Sequence, residues 1–124
     1  MRLSVFNINE LDMTKYQTSY DRVLDGYEIK NNEGRSTFAA IYNGSVVGIA
    51  SADRGVIDYF SVLEITRNRG VGGYLLKTVA NILIEEYGSV TISQVLYSQP
   101  DFKLFSEHMG FENAVLSRPI EKYC

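Results

Sequence analysis

A glycine-rich turn flanked by arginines, residues 67–73, constrains the fold of this chain more than any other segment. It follows an apolar extended run, residues 56–63, and precedes a strongly apolar helical pattern over residues 74–87. Glycines let a backbone turn tightly and leave its amides uncovered by side chains. A helix that begins at such a turn directs its free N–H groups and the positive end of its dipole toward the same point. The segment therefore predicts a strand, a basic turn and a helix that together bind a phosphate or pyrophosphate.

The spacing of the glycines separates this turn from two common phosphate-binding loops. A P-loop has two glycines with four residues between them, followed by Lys and Ser or Thr, and no such run occurs in the chain. The dinucleotide-binding fingerprint follows the first strand and has a third glycine three residues after the second. Here Leu75 occupies that third position, and the turn lies past mid-chain. A nucleotide-binding domain of another fold is therefore disfavoured.

The turn does match the pattern (Arg/Gln)-x-x-Gly-x-(Gly/Ala), which Arg67, Gly70 and Gly72 fill. A second block, residues 104–111, joins a helical pattern to a Gly-Phe pair. At this spacing the two blocks resemble the pyrophosphate-binding motif and the end of the fourth helix in the GNAT superfamily of acyl-CoA-dependent N-acetyltransferases. The resemblance implies an α+β fold, in which a mixed, mostly antiparallel sheet carries helices on both faces.

Other patterns predict the helices and strands around this turn. Asn43-Gly44 supplies the positive φ angles of a type I′ turn and so predicts a hairpin. The helix after the basic turn has two adjacent apolar rows, which predicts that a sheet covers it. The strand that follows such a crossover helix is expected to run parallel to the preceding strand. The predicted elements are a first strand at 2–8, a helix that stops near Gly26, strands at 37–42, 46–50 and 56–63, a helix at 71–87, a strand at 89–97, a helix at 100–110 and a last strand at 111–116.

The resemblance also implies where a cofactor would lie. The fourth and fifth strands would diverge, and the pantetheine arm of acetyl-CoA, the expected co-substrate, would lie between them and pair with backbone like an extra strand. The pyrophosphate would rest on the amides of the turn, and a backbone N–H near Leu63 would polarise the thioester carbonyl. The residues that the resemblance places against the cofactor are Val62, Leu63, Ile65, Arg67, Asn68, Arg69, Gly70, Val71, Gly72, Gly73, Gln99 and Phe105.

Three residues are candidates for the catalytic acid and base. The family often has a tyrosine four residues before the Gly of Gly-Phe, but this chain has Ser106 there, and a serine hydroxyl is a poorer acid than a phenol of pKa about 10. Tyr97 is the preferred acid of the two, because the end of the predicted fifth strand would place it near the thiol. Asp58 is the candidate base because it interrupts the apolar alternation of the fourth strand. An ion pair with an arginine, or a hydrogen bond within the sheet, is the alternative role of Asp58.

Composition bounds the class of protein. The 124 residues suit one domain, residues 1–124, and 45% hydrophobic with 22% charged residues is typical of a globular chain. A net charge of −3 predicts no nucleic-acid partner, and the short apolar runs predict no membrane partner. With one cysteine, Cys124, and one histidine, His108, no metal site is expected. The absence of a secretory signal pattern at the start predicts a cytoplasmic protein.

The predicted function is transfer of an acetyl group from acetyl-CoA to a primary amine by direct attack in a ternary complex, as the resemblance implies. The acceptor stays open between a small amine, a polyamine, a protein N-terminus and a lysine, and so does a homodimer. The alternative is a catalytically weak module of the same fold that binds acyl-CoA or a protein partner. Ser106 is the main support for that alternative.

Overall fold

The computed structural model describes residues 3–63 and 70–121. Its strands are β1 (Leu3–Asn7), β2 (Arg35–Tyr42), β3 (Ser45–Asp53), β4 (Val56–Val62), β5 (Val90–Ile92) and β6 (Val115–Leu116). Its α-helices are α1 (Met13–Leu24), α2 (Val71–Tyr87), α3 (Gln94–Tyr97) and α4 (Pro100–His108), and a 3-10 turn, Ile8–Glu10, precedes α1.

The strands form one sheet in the order β1-β2-β3-β4-β5-β6. Neighbouring strands are antiparallel except β4 and β5, which are parallel because α2 carries the chain back between them. The hairpin between β2 and β3 turns at Asn43 and Gly44, whose φ angles are 52° and 77°. Two consecutive positive φ angles are what a type I′ turn requires. The mixed, mostly antiparallel sheet predicted from the sequence is confirmed.

Two helices, α1 and α2, cover opposite faces of the sheet. The side chain of Asp12 caps α1 by accepting a hydrogen bond from the Thr14 N–H at 3.1 Å, and the helix buries Tyr20 and Val23 against one face. The longer α2 buries most of its two apolar rows against the other face, although Ile82 and Tyr87 are exposed. It ends at Gly88, which has a left-handed φ of 86°. Burying each aliphatic side chain contributes about 1.5–3 kcal/mol. The prediction of helices on both faces is confirmed.

The predicted strand at residues 89–97 is wrong beyond its first half. β5 ends at Ile92 because the next residue caps a helix: the Ser93 side-chain oxygen accepts a hydrogen bond from the Leu96 N–H at 3.2 Å. Tyr97 therefore ends the short helix α3, and the prediction that it stands at the end of the fifth strand is wrong.

The last strand is also shorter than the predicted 111–116. Asn113 and Ala114 have φ angles of 51° and 68°, which are incompatible with a strand. They lie in a tight turn, in which the N–H of Glu112 donates to the carbonyl of Val115 at 2.9 Å and the N–H of Val115 donates back at 3.0 Å. The two residues after this turn, Val115 and Leu116, pair with β5, and the carbonyl of Ala114 accepts a hydrogen bond from the N–H of Ile92 at 2.8 Å.

A β-bulge in β4 decides which face of the sheet Asp58 occupies. Ile57 and Tyr59 pair with consecutive residues of β3, so Asp58 lies between them without a partner in that ladder. Ile57 and Phe60 both pack on the α2 side, whereas Tyr59 packs on the α1 side and Asp58 contacts Arg35 there. The prediction that Asp58 belongs to the apolar alternation of Val56, Phe60 and Val62 is wrong, because a bulge shifts the alternation by one residue.

Candidate functional site

The parallel strands β4 and β5 separate soon after they pair, and this fork creates the candidate site. β5 pairs with β4 only at Val56 and Ile57. The N–H of Ser93 then donates to the Ile57 carbonyl at 2.8 Å, after which the chain enters α3 while β4 continues to Val62. The divergence that the resemblance implied is present in the structure.

A cavity of about 410 Å³ occupies the opening of this fork. Its lining combines the second half of β4 with the start of α2 and one side of α4. The lining residues are Phe60, Ser61, Val62, Gly72, Gln99, Asp101, Phe102 and Phe105. A cleft of this size, walled by apolar groups with a few polar groups at its rim, is typical of a small-molecule or cofactor site.

Three phenylalanines from two elements form the apolar wall of the cavity. The ring centroid of Phe60 lies 5.2 Å from that of Phe102 and 5.9 Å from that of Phe105, and the two α4 rings are 5.8 Å apart. Tilted arrangements at these distances are favourable between aromatic rings and hold them in place. This wall therefore packs α4 against β4 at the point where β5 no longer pairs with β4.

The N-terminus of α2 lies at the same cavity. Gly70 is its N-cap, with a left-handed φ of 78° and no side-chain hydrogen bond to the first turn. The N–H groups of that turn and the positive end of a 17-residue helix therefore favour an anion there. An added Cβ at Gly72 would lie 3.6 Å from Phe105 Cζ and 3.8 Å from Val62 Cγ2, so a side chain at this position would fill part of the cavity.

The predicted cofactor residues divide into three groups. Four of them, Ile65, Arg67, Asn68 and Arg69, lie outside the described residues. Four others line the cavity, namely Val62, Gly72, Gln99 and Phe105. The remaining four are Gly70, Val71 and Gly73 at the start of α2, and Leu63 directly after β4. The Leu63 N–H donates to the Val47 carbonyl at 2.9 Å, so it faces β3 rather than the fork.

Asp58, the candidate base, forms an ion pair with Arg35 on the α1 face. The two guanidinium nitrogens Nη1 and Nη2 each donate to one carboxylate oxygen at 2.8 Å, and the side chains are 8% and 35% exposed for Arg35 and Asp58. The hydrogen bond to Asp58, more than any other contact, raises the pKa of Arg35 above its ordinary value, so the guanidinium stays charged. The alternative of an ion pair, left open by the sequence, is the one observed.

A model of the acetyltransferase (GNAT) family matches residues 3–111, which is most of the chain. The chain belongs to the GNAT family. No curated protein sequence matches it. The family assignment agrees with the basic glycine turn and the Gly-Phe block of the sequence.

Solved structures show the same fold at low sequence identity. Escherichia coli YhhK, bound to coenzyme A, matches with a TM-score of 0.72 at 18% identity over 91% of this chain and 93% of that one. The ribosomal-protein-S18-alanine N-acetyltransferase of Escherichia coli gives a TM-score of 0.66 at 14% identity, over 90% of this chain and 78% of that one. A chain of the KacTA–DNA complex gives 0.68 at 12% identity, over 97% and 94%. At these identities the likeness establishes the GNAT fold alone.

In this GNAT domain the hydroxyl of Tyr97 is engaged away from the cavity lining. It donates to Glu107 Oε2 at 2.9 Å, and the ring also lies under Lys103 Nζ, 5.5 Å from the centroid. The hydrogen bond to Glu107, followed by burial, raises the pKa of Tyr97 above that of an ordinary phenol. A phenol that donates to a carboxylate and is harder to ionise is poorly prepared to protonate a thiolate.

The hydroxyl of Ser106 is likewise turned into its own helix. The side chain is fully buried, and its Oγ donates to the backbone carbonyl of Lys103 at 2.9 Å. Such a bond uses the only proton that a serine hydroxyl can donate. Neither Tyr97 nor Ser106 therefore directs a hydrogen-bond donor into the described cavity.

Sequence reasoning missed several residues of the site. The missed cavity residues are Phe60, Ser61, Asp101 and Phe102. Phe102 lies three positions before the predicted Phe105 and so shares its face of α4, a signal that was available. The partner of Asp58 was not identified, although Arg35 and Thr37 are two positions apart on β2 and so place two polar side chains on one face.

Two further findings concern the part of the GNAT domain that the structure describes. Over residues 3–63 and 70–121, no three His, Cys, Asp or Glu side chains converge as a metal ion would require. Within the same residues, no helix is both long and apolar enough to cross a bilayer. The expectations about metal, membrane, nucleic acid and compartment stay predictions.

Proposed function

We propose that this GNAT domain transfers an acetyl group from acetyl-CoA to a primary amine, by direct attack of the amine in a ternary complex. The observation that carries the proposal is the fork between β4 and β5, whose cavity has the N-terminus of α2 at its edge. A long pantetheine arm that ends in a pyrophosphate matches a cleft that has both apolar and polar lining residues and leads to a helix N-terminus. Coenzyme A bound to YhhK, a protein of the same fold, supports this choice of co-substrate.

The chemistry divides into binding and one displacement. The acceptor ammonium first loses one proton to solvent, and the neutral nitrogen attacks the thioester carbonyl carbon. The C–N bond forms as the C–S bond breaks, coenzyme A leaves as a thiolate, and the second proton that the nitrogen loses converts that thiolate to the thiol.

A catalytically weak domain that binds acyl-CoA is the second candidate. The engagement of Tyr97 with Glu107 and of Ser106 with the α4 backbone favours it, because neither hydroxyl is directed to the cavity. The two candidates share cofactor binding and differ in turnover. A panel of amines assayed for release of free thiol separates them.

Acetyl-CoA is expected to stabilise the fold, because it binds the native fork and has no site in the unfolded chain. At about 100 times its Kd, the free energy of unfolding should rise by roughly 2.7 kcal/mol. For a chain of this length that corresponds to a shift in Tm of roughly 10 °C. Thermal unfolding with increasing acetyl-CoA measures it.

ATP at the same concentration is the control for adenine and phosphate groups alone. It should produce a much smaller shift, because it lacks the arm that fills the cavity. An equal shift with ATP, or none with acetyl-CoA, would falsify the cofactor assignment.

The candidate acids are expected to matter little for turnover. A positioned general acid contributes about 10²-fold or more to the rate. Because neither hydroxyl is directed to the cavity, the double variant Tyr97→Phe with Ser106→Ala should keep kcat within about tenfold of the unmodified protein. A coenzyme A thiol resembles a cysteine thiol, of pKa about 8.5, and its thiolate leaves without much protonation. Single-turnover kinetics with free-thiol detection measures the effect. A fall of 10²-fold or more in Tyr97→Phe alone would restore Tyr97 as the acid.

A further inference from the structure

A fixed polar cluster lies on the α1 face of the sheet, directly beside the fork. Besides its two bonds to Asp58, Arg35 Nη1 donates to Ser51 Oγ at 2.9 Å and Nε donates to Asn32 Oδ1 at 2.9 Å. The hydroxyls of Ser51 and Thr37 are 2.8 Å apart. Partners on several sides hold the guanidinium in place, and the guanidinium holds the Asp58 carboxylate in one orientation.

The Asp58 carboxylate forms part of the wall of a second cavity, of about 330 Å³. Each carboxylate oxygen accepts one bond from Arg35, and a carboxylate oxygen has a further lone pair to offer. With its side chain 35% exposed, Asp58 can accept a hydrogen bond from a molecule in this cavity without losing its arginine. Its fixed orientation suits binding of a cation better than it suits removal of a proton, which would break the ion pair.

This second cavity meets the fork from the face opposite α2. Asp58 directly follows Ile57, the last residue of β4 that pairs with β5, and Ser93, which also lines the cavity, directly follows β5. The cofactor cavity begins at Phe60, two residues further along β4. Tyr59, which also lines the second cavity, directly precedes Phe60, so the two cavities contact consecutive residues of β4 on opposite faces of the sheet. This adjacency at the end of the β4–β5 pairing suits transfer of a group between molecules held in the two cavities.

Aromatic rings form the other side of the second cavity. Tyr27 and Tyr59 stack with their ring centroids 4.6 Å apart and their planes 19° from parallel. Burial is the main cause that raises the pKa of Tyr59, so its ring stays an uncharged phenol. The faces of such rings attract ammonium groups and also pack against apolar groups. Ile29 and Val95 add aliphatic surface, and Val95 is 77% exposed at the rim.

Most charges in the second cavity are already balanced within the protein. Arg35 pairs with Asp58, and Asp53 accepts a hydrogen bond from Arg54 at 2.9 Å. Lys30 adds a positive charge to the lining. A second ammonium would meet Lys30 rather than an uncommitted carboxylate, and a carboxylate on the ligand would lie against Asp58. The balance favours a ligand with a single ammonium and an otherwise apolar body.

We propose that this second cavity binds the acetyl acceptor, and that the acceptor is a small primary amine with one ammonium group on an aryl or alkyl body. Asp58 accepts hydrogen bonds from the ammonium, and the stacked rings of Tyr27 and Tyr59 pack against the apolar body. The proposal rests on the proposed acetyl transfer, because it names the second substrate of that reaction. Asp58 is thereby a binding residue, and the proton lost before attack goes to solvent.

Steady-state kinetics with acetyl-CoA and four probes tests the substrate class. Phenethylamine is expected to have the highest kcat/KM. Phenylalanine, which adds a carboxylate, putrescine, which adds a second ammonium, and a short peptide with a free N-terminus should each be at least tenfold poorer. Turnover of any of these three as good as that of phenethylamine would overturn the proposed class.

Variants then test the residues. Tyr27→Ala and Asp58→Asn should each raise KM for phenethylamine at least tenfold while leaving the affinity for acetyl-CoA unchanged, because neither lines the cofactor cavity. Tyr87→Ala is the matched control, since Tyr87 is a comparably exposed tyrosine, 42% against 52% for Tyr27, at the far end of α2. Tyr27 is exposed, so its variant folds even if Asp58→Asn does not.

The outcomes distinguish a failure of the proposed acceptor site from a failure of the proposed acetyl transfer. If acetyl-CoA produces no thermal stabilisation, both the proposed function and this inference fail. If acetyl-CoA binds and an amine is acetylated, but KM is the same in Tyr27→Ala as in Tyr87→Ala, the transferase stands and the acceptor site lies elsewhere.

Discussion

Gly72→Val is expected to weaken coenzyme A binding at least tenfold, about 1.4 kcal/mol, while the domain stays folded. The Cβ of a residue at this position already lies at contact distance from Phe105 and Val62, so the two further methyl groups of valine must enter the cavity. They would occupy the space between β4 and α4 through which the cofactor approaches the first turn of α2. Valine is no worse than glycine within a helix, so the loss should fall on binding and not on folding.

Gly72→Ala is the graded control for this variant. Its single methyl sits 3.6 Å from Phe105 Cζ, an ordinary contact, and should cost less affinity than valine does. Calorimetric titration with coenzyme A measures both variants, and their melting curves show that both are folded. Unchanged affinity in folded Gly72→Val would place the cofactor outside this cavity.

Arg35→Met is expected to lower the free energy of unfolding by about 2 kcal/mol. Removing one partner of a buried ion pair costs about 3–5 kcal/mol when the remaining charge is enclosed. Here the Arg35 side chain is 8% exposed but Asp58 is 35% exposed, so solvent reduces the penalty. Ser51 and Asn32 also lose a hydrogen-bond donor. Denaturant unfolding measures the change.

Arg54→Met is the matched control for this prediction. Arg54 pairs with Asp53 at 2.9 Å, but its side chain is 63% exposed, and exposed pairs contribute about 0–1 kcal/mol. Adding Asp58→Asn to Arg35→Met should recover part of the loss, because it removes the carboxylate left without a partner. A loss in Arg35→Met no larger than that in Arg54→Met would mean that the polar cluster does not stabilise the fold.

Local chemistry made part of the fold predictable. The hairpin follows from Asn43-Gly44, because these two residues tolerate the positive φ angles that the turn requires. The boundaries of α2 follow in the same way from Gly70 and Gly88, which adopt left-handed angles at its two ends. The apolar rows between them indicated a helix covered by a sheet. Each of these signals lies within a few residues of the feature that it predicts.

The cofactor side of the candidate site was predictable to the same degree. The pattern around Arg67, Gly70 and Gly72 located the start of α2 and, with the Gly-Phe block, indicated the GNAT family that the family match establishes. The aromatic wall was only partly foreseen, because Phe60 and Phe102 meet through the packing of α4 on β4 and not through any local pattern.

The amino-acid sequence by itself determined the hairpin turn, the main helices, the parallel pairing of β4 with β5 and the family. Only the tertiary structure decided where β5 ends, which side of the sheet Asp58 faces and which rings stack beside it. A serine cap competed with strand propensity at Ser93, and a one-residue bulge reversed the face of Asp58. The stack of Tyr27 on Tyr59 joins residues far apart in the chain. The cap at Ser93 is a local bond, but the bulge and the ring stack depend on contacts between distant segments, which exist only once the sheet has formed. Together they decide the surroundings of the candidate acceptor site.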